Sequence, residues 1–163
     1  VVCRQPNFQL DDLPTSGRFL VLDAIQDPGN LGTLVRSAVA FGLDAVICLD
    51  GTADPWSAKA VRASAGSVFR ISLMQCEATD AMRALGEHGV PIVVASAEGE
   101  DEIDLVGRRS FGLVLGNEGA GVRVAVRQVA SSTIAVSMTG PAESLNVSIA
   151  GSILLHTLTM EER

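Results

Sequence analysis

The stretch Thr133 to His156, TIAVSMTGPAESLNVSIAGSILLH, decides the fold. A short β-branched run, Thr133 to Val136, leads through a Gly140-Pro141 turn to Glu143-Ser144-Leu145-Asn146. A helical apolar run then extends from Asn146 to about Met160. Polar groups crowded between a strand end and a helix start are badly placed for core packing. They are well placed for a site, because the first turn of a helix leaves N–H groups unpaired.

Working outward, the same strand-then-helix order recurs. Val1 to Gly17 has Pro6, Pro14 and no clean period, and reads as an extended lead-in; the folded unit is expected over 18–163. Phe19 to Asp23 is a continuous apolar run, consistent with a buried strand. Asp27-Pro28-Gly29-Asn30 carries turn chemistry. Leu31, Leu34, Val35, Ala38 and Phe41 form a helical stripe that Gly42 stops. Ala45 to Leu49 is a second strand, and Asp54-Pro55 is expected to start a helix running to about Ala65. Ile71 to Met74 reads as a short strand, Thr79 to His88 as an amphipathic helix, and Pro91 to Ala95 as the next strand. Glu98 to Asp104, five acidic residues in seven, reads as a solvated loop. Phe111 to Leu115 is a strand and Val122 to Val129 a weak helix. Five or six strands alternating with helices predict an α/β domain, with a mostly parallel sheet flanked by helices.

The 163 residues fit one domain, and 47% hydrophobic with 19% charged content excludes a disordered chain. No apolar run approaches the roughly 18 residues of a membrane span. There is no signal-peptide pattern, but the chain starts at Val1 without a Met, so it is expected to be a fragment, with any targeting segment or upstream domain out of view. Net charge is −7, with Lys59 the one lysine against eleven arginines, which argues against unaided nucleic-acid binding. Cys3, Cys48 and Cys76 are far apart without metal-ligand spacing, so they read as reduced thiols of an intracellular protein, with Cys48 in the core and no metal expected.

In parallel sheets, ligands bind outside the carboxyl ends of the strands. Three polar clusters fall at such ends. In the first, Asn30-x-Gly32-x-x-x-Arg36, Asn30 is either a helix cap or a site residue. Arg36 stands one turn beyond Gly32, where a guanidinium suits phosphate or carboxylate recognition, with a solvated surface arginine as the other reading. The second, Gly116-Asn117-Glu118-Gly119-Ala120-Gly121, has neither the glycine order of a dinucleotide fingerprint nor the Lys-Ser/Thr of a P-loop. Its three glycines mean a tight turn or a close backbone approach. The third is the opening stretch, a helix cap with solvated neighbours or a site.

In this order and spacing, the clusters resemble the SpoU (TrmH-type) RNA ribose 2′-O-methyltransferases of the SPOUT superfamily. The family's N-x-G-x-x-x-R matches Asn30 to Arg36, and L-G-x-E-G-x-G matches Leu115 to Gly121. Its I-P-M-x-G-x-x-E-S-L-N-V-S-x-A matches Val136 to Ala150, with Ser137 where the family has proline. Lys59 to Phe69, KAVRASAGSVF, is also similar to a family segment.

The resemblance implies a C-terminal deep trefoil knot, which the rule against threaded loops would have rejected. It implies S-adenosylmethionine held by Leu115, Gly116, Val136, Met138 and Leu145, with the Gly-rich loop letting backbone approach the ligand. Arg36, Asn30, Glu118, Ser144 and Asn146 would form the catalytic group, with Arg36 and Arg62, joined by Arg70, meeting RNA phosphates. It further implies a homodimer through the knot region, in which Arg36 can serve the second subunit, and an N-terminal RNA-binding domain that would offset the acidic charge. The expected reaction is methylation of a ribose 2′-hydroxyl, in ribosomal RNA ahead of tRNA. A catalytically silent RNA-binding or ribosome-assembly factor is the alternative of a different class, and a plain nucleotide-binding module is disfavoured by the glycine order. Bacterial cytoplasm and an organelle with bacterial-type ribosomes both stay open. Ser148 is expected at the helix start, His88 and His156 to be structural, and Trp56 to pack on the domain rather than stack on RNA.

Overall fold

A computed structural model describes residues 5–100, 109–142 and 144–160. Its six strands are β1 (Arg18–Asp23), β2 (Ala45–Leu49), β3 (Ser72–Cys76), β4 (Ile92–Glu100), β5 (Phe111–Gly116) and β6 (Ser132–Ile134). The helices are α1 (Pro28–Ala40), α2 (Ala58–Ala63), α3 (Ala78–Glu87), α4 (Val124–Arg127) and α5 (Val147–Thr159). All the strand pairings are parallel, in the order β3-β2-β1-β5-β4-β6.

The central strands are apolar on both faces because both faces are covered. Leu20 and Leu22 of β1 pack with Leu31, Leu34 and Val35 of α1 and with Leu154, Leu155 and Leu158 of α5. Phe19 and Val21 face the other way, toward Ala81 and Leu85 of α3 and Val126 of α4. Cys48 is buried in the first of these layers, and burial pushes its thiol up to about 12. Half-buried Cys76 rises to about 11, chiefly through burial and then through the charge of Asp80.

Several boundaries differ from the sequence reading, each for a local reason. α1 begins at Pro28, because the Asp27 carboxylate caps it, accepting from the Gly29 N–H at 2.9 Å. Asn30 therefore lies inside the first turn and is released from capping. Asp54-Pro55 does not start a helix; Asp54 closes a turn by accepting from the Trp56 N–H at 2.9 Å. α2 starts four residues later, with Ser57 as its cap. β4 extends to Glu100 along β6, so its acidic end is strand and not loop; the rest of the acidic run, 101–104, lies outside the described residues.

Gly32 allows α1 and α2 to touch. A Cβ there would lie 2.5 Å from the Ala60 carbonyl oxygen and 2.6 Å from the Ala63 Cβ. Gly151 does the same for α5, where a Cβ would meet a Leu115 methyl at 2.4 Å and a Leu34 methyl at 2.6 Å. The chain leaves β6 at one edge of the sheet and returns as α5 over α1 and β5. This return carries the polar stretch of 144–146 back over the strand ends.

Candidate active site

The ends of β4, β5 and β6 and the segment leading into α5 enclose a cleft of about 560 Å³. That volume suits a cofactor-sized ligand. Leu115, Ile134, Val136 and Leu154 contribute apolar wall, and Glu118, Ser144 and Asn146 contribute polar wall. All five positions expected to hold the cofactor, Leu115, Gly116, Val136, Met138 and Leu145, line it.

Asn30 joins this polar wall by hydrogen bonds. As cap of α5, Asn146 accepts through Oδ1 from the Ser148 N–H (2.9 Å) and hydroxyl (2.6 Å). Its amide NH₂ is then free to donate to Asn30 Oδ1 at 3.2 Å. Asn30 Nδ2 donates in turn to Glu118 Oε1 at 2.7 Å. Every donor in this series points toward the carboxylate, so each bond polarises the next. Ser148 is buried at the helix start, as its sequence position implied. The Ser148 carbonyl accepts from the Ser152 hydroxyl, whose oxygen lies 2.7 Å from Ser37 Oγ, which ties α5 to α1 behind the site.

The glycine-rich loop folds mainly against itself. A Cβ on Gly116 would lie 2.3 Å from both the Gly121 carbonyl carbon and the Val122 nitrogen. Loop backbone alone therefore requires glycine at this position, which also lines the cleft. Asn117 Oδ1 accepts from the Gly119 and Ala120 N–H groups, and its Nδ2 donates to the Ala24 carbonyl. Gly121 closes the loop in the left-handed region, at φ +69°.

The sequence reading missed the residue that anchors this loop. Arg123 donates through its backbone N–H and Nε to both oxygens of Asp23, at 2.8 and 2.7 Å. Its Nη1 meets both oxygens of Asp50, and its Nη2 donates to the Asp50 carbonyl. Asp23 is 1% exposed. The Arg123 hydrogen bonds hold the Asp50 carboxyl below its usual range. Burial opposes the charge on Arg123, but its bonds to Asp50 and Asp23 outweigh this and raise its pKa. A signal was present: Asp23 ends an otherwise apolar strand, and a buried carboxylate requires a partner.

Arg36 does not join the cleft within this chain; it is exposed on α1, as are Arg62 on α2 and Arg70 beyond it. Glu143 lies outside the described residues. His156 stacks edge-on against Phe41 at 5.5 Å, and Trp56 packs on the core, so both are structural. Among the described residues His88 Nδ1 is buried without a hydrogen-bond partner; it follows α3 and does not line the cleft. Among the described residues, no group of three or more His, Cys, Asp or Glu could hold a metal ion, and no helix is long and apolar enough to cross a membrane.

The cleft fits the cofactor implied by the motifs. Val136 and Met138 line the cleft, and among the described residues no backbone–backbone hydrogen bond engages them, so their N–H and C=O groups are available to a ligand. Hydrophobic wall suits a purine ring, and the polar end suits a ribose or an amino acid moiety.

Known proteins share this arrangement. The SpoU rRNA Methylase family model matches residues 17–156. The chain is 40% identical over 158 residues to the 23S rRNA (guanosine(2553)-2′-O)-methyltransferase RlmP of Bacillus subtilis, covering 96% of this chain and 62% of that protein. It is 38% identical to an uncharacterized tRNA/rRNA methyltransferase of Mycobacterium ulcerans, over 88% of this chain and 47% of the relative. The chain thus spans about half to two thirds of the length of these relatives. In structure it is similar to the AdoMet-bound rRNA methyltransferase from Sinorhizobium meliloti, with a TM-score of 0.88 and 34% identity over 94% of this chain and 60% of that one. Matching motifs, a parallel sheet of this order and a family model covering 17–156 lead to one conclusion: the chain belongs to the SpoU rRNA Methylase family.

Proposed function

We propose that this protein is an S-adenosylmethionine-dependent methyltransferase that modifies a ribose 2′-hydroxyl of RNA, with ribosomal RNA as substrate. The observation that carries this reading is the series Ser148–Asn146–Asn30–Glu118. It joins all three motifs along the rim of a cleft whose walls are the expected cofactor residues. The B. subtilis relative, named for 23S rRNA, supports ribosomal RNA over tRNA.

When bound, the cofactor supplies an electrophilic methyl on a sulfonium that leaves as a neutral thioether, so the chain's own residues need to align a hydroxyl and let its proton pass to solvent water. Gly116, Val136, Met138 and Leu145 would hold the cofactor, using the unspent backbone groups of the cleft. Asn30 and Asn146 set the position of the Glu118 carboxylate, and Ser144 lies on the same wall, so these groups would hold the ribose. Arg36 would bind the adjoining phosphate and stabilise negative charge growing on the 2′-oxygen.

Arg36 lies off the cleft of its own chain, so the same reading includes a homodimer in which each subunit's Arg36 serves the other's cleft. Ile149 and Ile153, 52% and 41% exposed one turn apart on α5, support this, continuing into exposed Met138 and Leu145. The family's trefoil knot, formed as the chain returns from β6 to α5, would rigidify this same region.

The test is transfer of labelled methyl from S-adenosylmethionine to unmodified ribosomal RNA and, separately, to tRNA, with Arg36→Ala as control. Incorporation into ribosomal RNA, reduced at least about a hundredfold by the substitution, is the expected result. Incorporation into neither RNA by the full-length protein would overturn the enzyme reading in favour of a silent RNA-binding factor.

A further inference from the structure

The turn that follows α2 presents an aromatic ring to solvent in a way the proposed chemistry has not used. Ser64 ends the helix, and Ala65 and Gly66 then both take the left-handed conformation, at φ +50° and +82°. Such a conformation is unfavourable for alanine, and strained backbone tends to be retained where function requires it. The strained pair starts a 3-10 turn, Ser67–Phe69, in which Val68 goes into the core and Phe69 stands out, 61% exposed. The Trp56 ring, itself packed on the core, backs Phe69 at 5.9 Å with a 48° tilt. Phe69 is thus braced by Trp56 while most of its surface stays open to solvent.

Positive charge gathers at the same place on an acidic chain. Lys59 is neutralised by Asp27, Arg83 by Asp80, and Arg123 by Asp23 and Asp50, while Arg127 donates to the Val122 carbonyl. Arg36, Arg62 and Arg70 are exposed, and among the described residues no hydrogen bond or ion pair engages them. Arg70 follows Phe69 directly, Arg62 is in the last turn of α2, and Arg36 is one turn past the α1–α2 contact at Gly32. Asp54, beside Trp56, is an acidic side chain nearby, and its carboxylate is turned to the Trp56 N–H.

An exposed, rigidly backed ring beside unneutralised arginines is the chemistry that binds unpaired nucleotides, with a base on the ring and phosphates on the guanidinium groups. We propose that Phe69, backed by Trp56 and flanked by Arg62 and Arg70, is a stacking platform for an unpaired base of the RNA. The substrate is then a single-stranded or loop segment and not a continuous duplex. A-form duplex hides its base faces, so a stacking platform has nothing to grip there. This inference rests on the reading of RNA as partner given above.

The test is direct binding, separate from methyl transfer. A single-stranded RNA oligonucleotide carrying 2-aminopurine, and the duplex of the same sequence, are titrated with the protein and with Phe69→Leu and Phe69→Trp. The expected result is quenching by the wild type with the single strand preferred. Phe69→Leu should bind about tenfold more weakly without quenching, and Phe69→Trp should restore both, with thermal midpoints and S-adenosylmethionine affinity unchanged. Equal affinity of wild type and Phe69→Leu, or preference for the duplex, would overturn the platform. So would a change of sedimentation coefficient in Phe69→Leu, which would make the ring a subunit contact. Methyl transfer by the wild type decides the enzymatic reading independently, so either proposal can fail alone.

Discussion

At the scale of single residues, the site is a matter of where a few atoms have no room. Gly116 lies so close to the far end of its own loop that Gly116→Ala must open it. The loop carries Glu118, so the substitution should lower methyl transfer by about a hundredfold, as a displacement near 1 Å does, while circular dichroism shows the sheet intact. Arg123 acts at the other end of the loop. Arg123→Met leaves the Asp23 carboxylate buried without its cationic partner, with only the backbone N–H of residue 123 still donating to it, and should cost about 3 kcal/mol in urea unfolding. It should also change the acid limb of stability. Asp50, held below its usual range by Arg123, contributes stability that is complete above the unfolded pKa of about 3.9 and lost as pH falls through its folded value. The fall in thermal midpoint on acidification from about pH 5 should therefore be steeper in the wild type than in Arg123→Met.

At the scale of elements, two glycines hold helices in place, and the cost of filling each depends on what gives way. On α1, Gly32 faces the backbone of α2, with the Ala60 carbonyl at 2.5 Å from a built Cβ. Gly151 on α5 faces leucine methyls, which are the ends of flexible side chains. Gly32→Ala should destabilise by about 1–3 kcal/mol, since backbone cannot rotate away. Gly151→Ala should cost less, and chemical denaturation of the two variants would show whether this order holds. α1 also shows how an element changes a residue's role. Because Asp27 caps the helix and Pro28 begins it, Asn30 faces Glu118 rather than its own helix terminus.

At the scale of the whole molecule, the parallel sheet places its strand ends on one rim, and the return of the chain from edge strand to α5 closes that rim into a cleft. The exposed Ile149 and Ile153 belong to this scale, because a hydrophobic stripe on the closing helix is what a subunit contact needs. Ile149→Asp combined with Ile153→Asp should yield monomers by sedimentation and lose methyl transfer. Mixing Arg36→Ala subunits with Glu118→Ala subunits should recover up to about a quarter of the wild-type rate per site, since random pairing leaves one intact cleft in half the dimers. Absence of recovery would place both residues in the service of the same subunit's cleft.

The sequence by itself determined the α/β class, the order and approximate places of the strands, though not the far ends of β4 and β6, and the three clusters. Continuous apolar runs, helical stripes and glycine stops are local signals, written in consecutive residues. Through its resemblance to the family it also implied that Asn30, Glu118, Ser144 and Asn146 form a set, on motifs spread over more than a hundred positions. Only the tertiary structure decided which group each residue meets. The Asn146–Asn30–Glu118 series, the Arg123 anchor on Asp23 and Asp50, and the self-packed Gly116 loop join residues far apart in the chain. Hydrogen bonds and excluded volume depend on positions in space, and no periodicity along the chain encodes them. Phe69 marks the boundary between the two: its place in the chain was plain, but its exposure and its contact with Trp56 follow from the left-handed turn at Ala65 and Gly66 and from the fold around it.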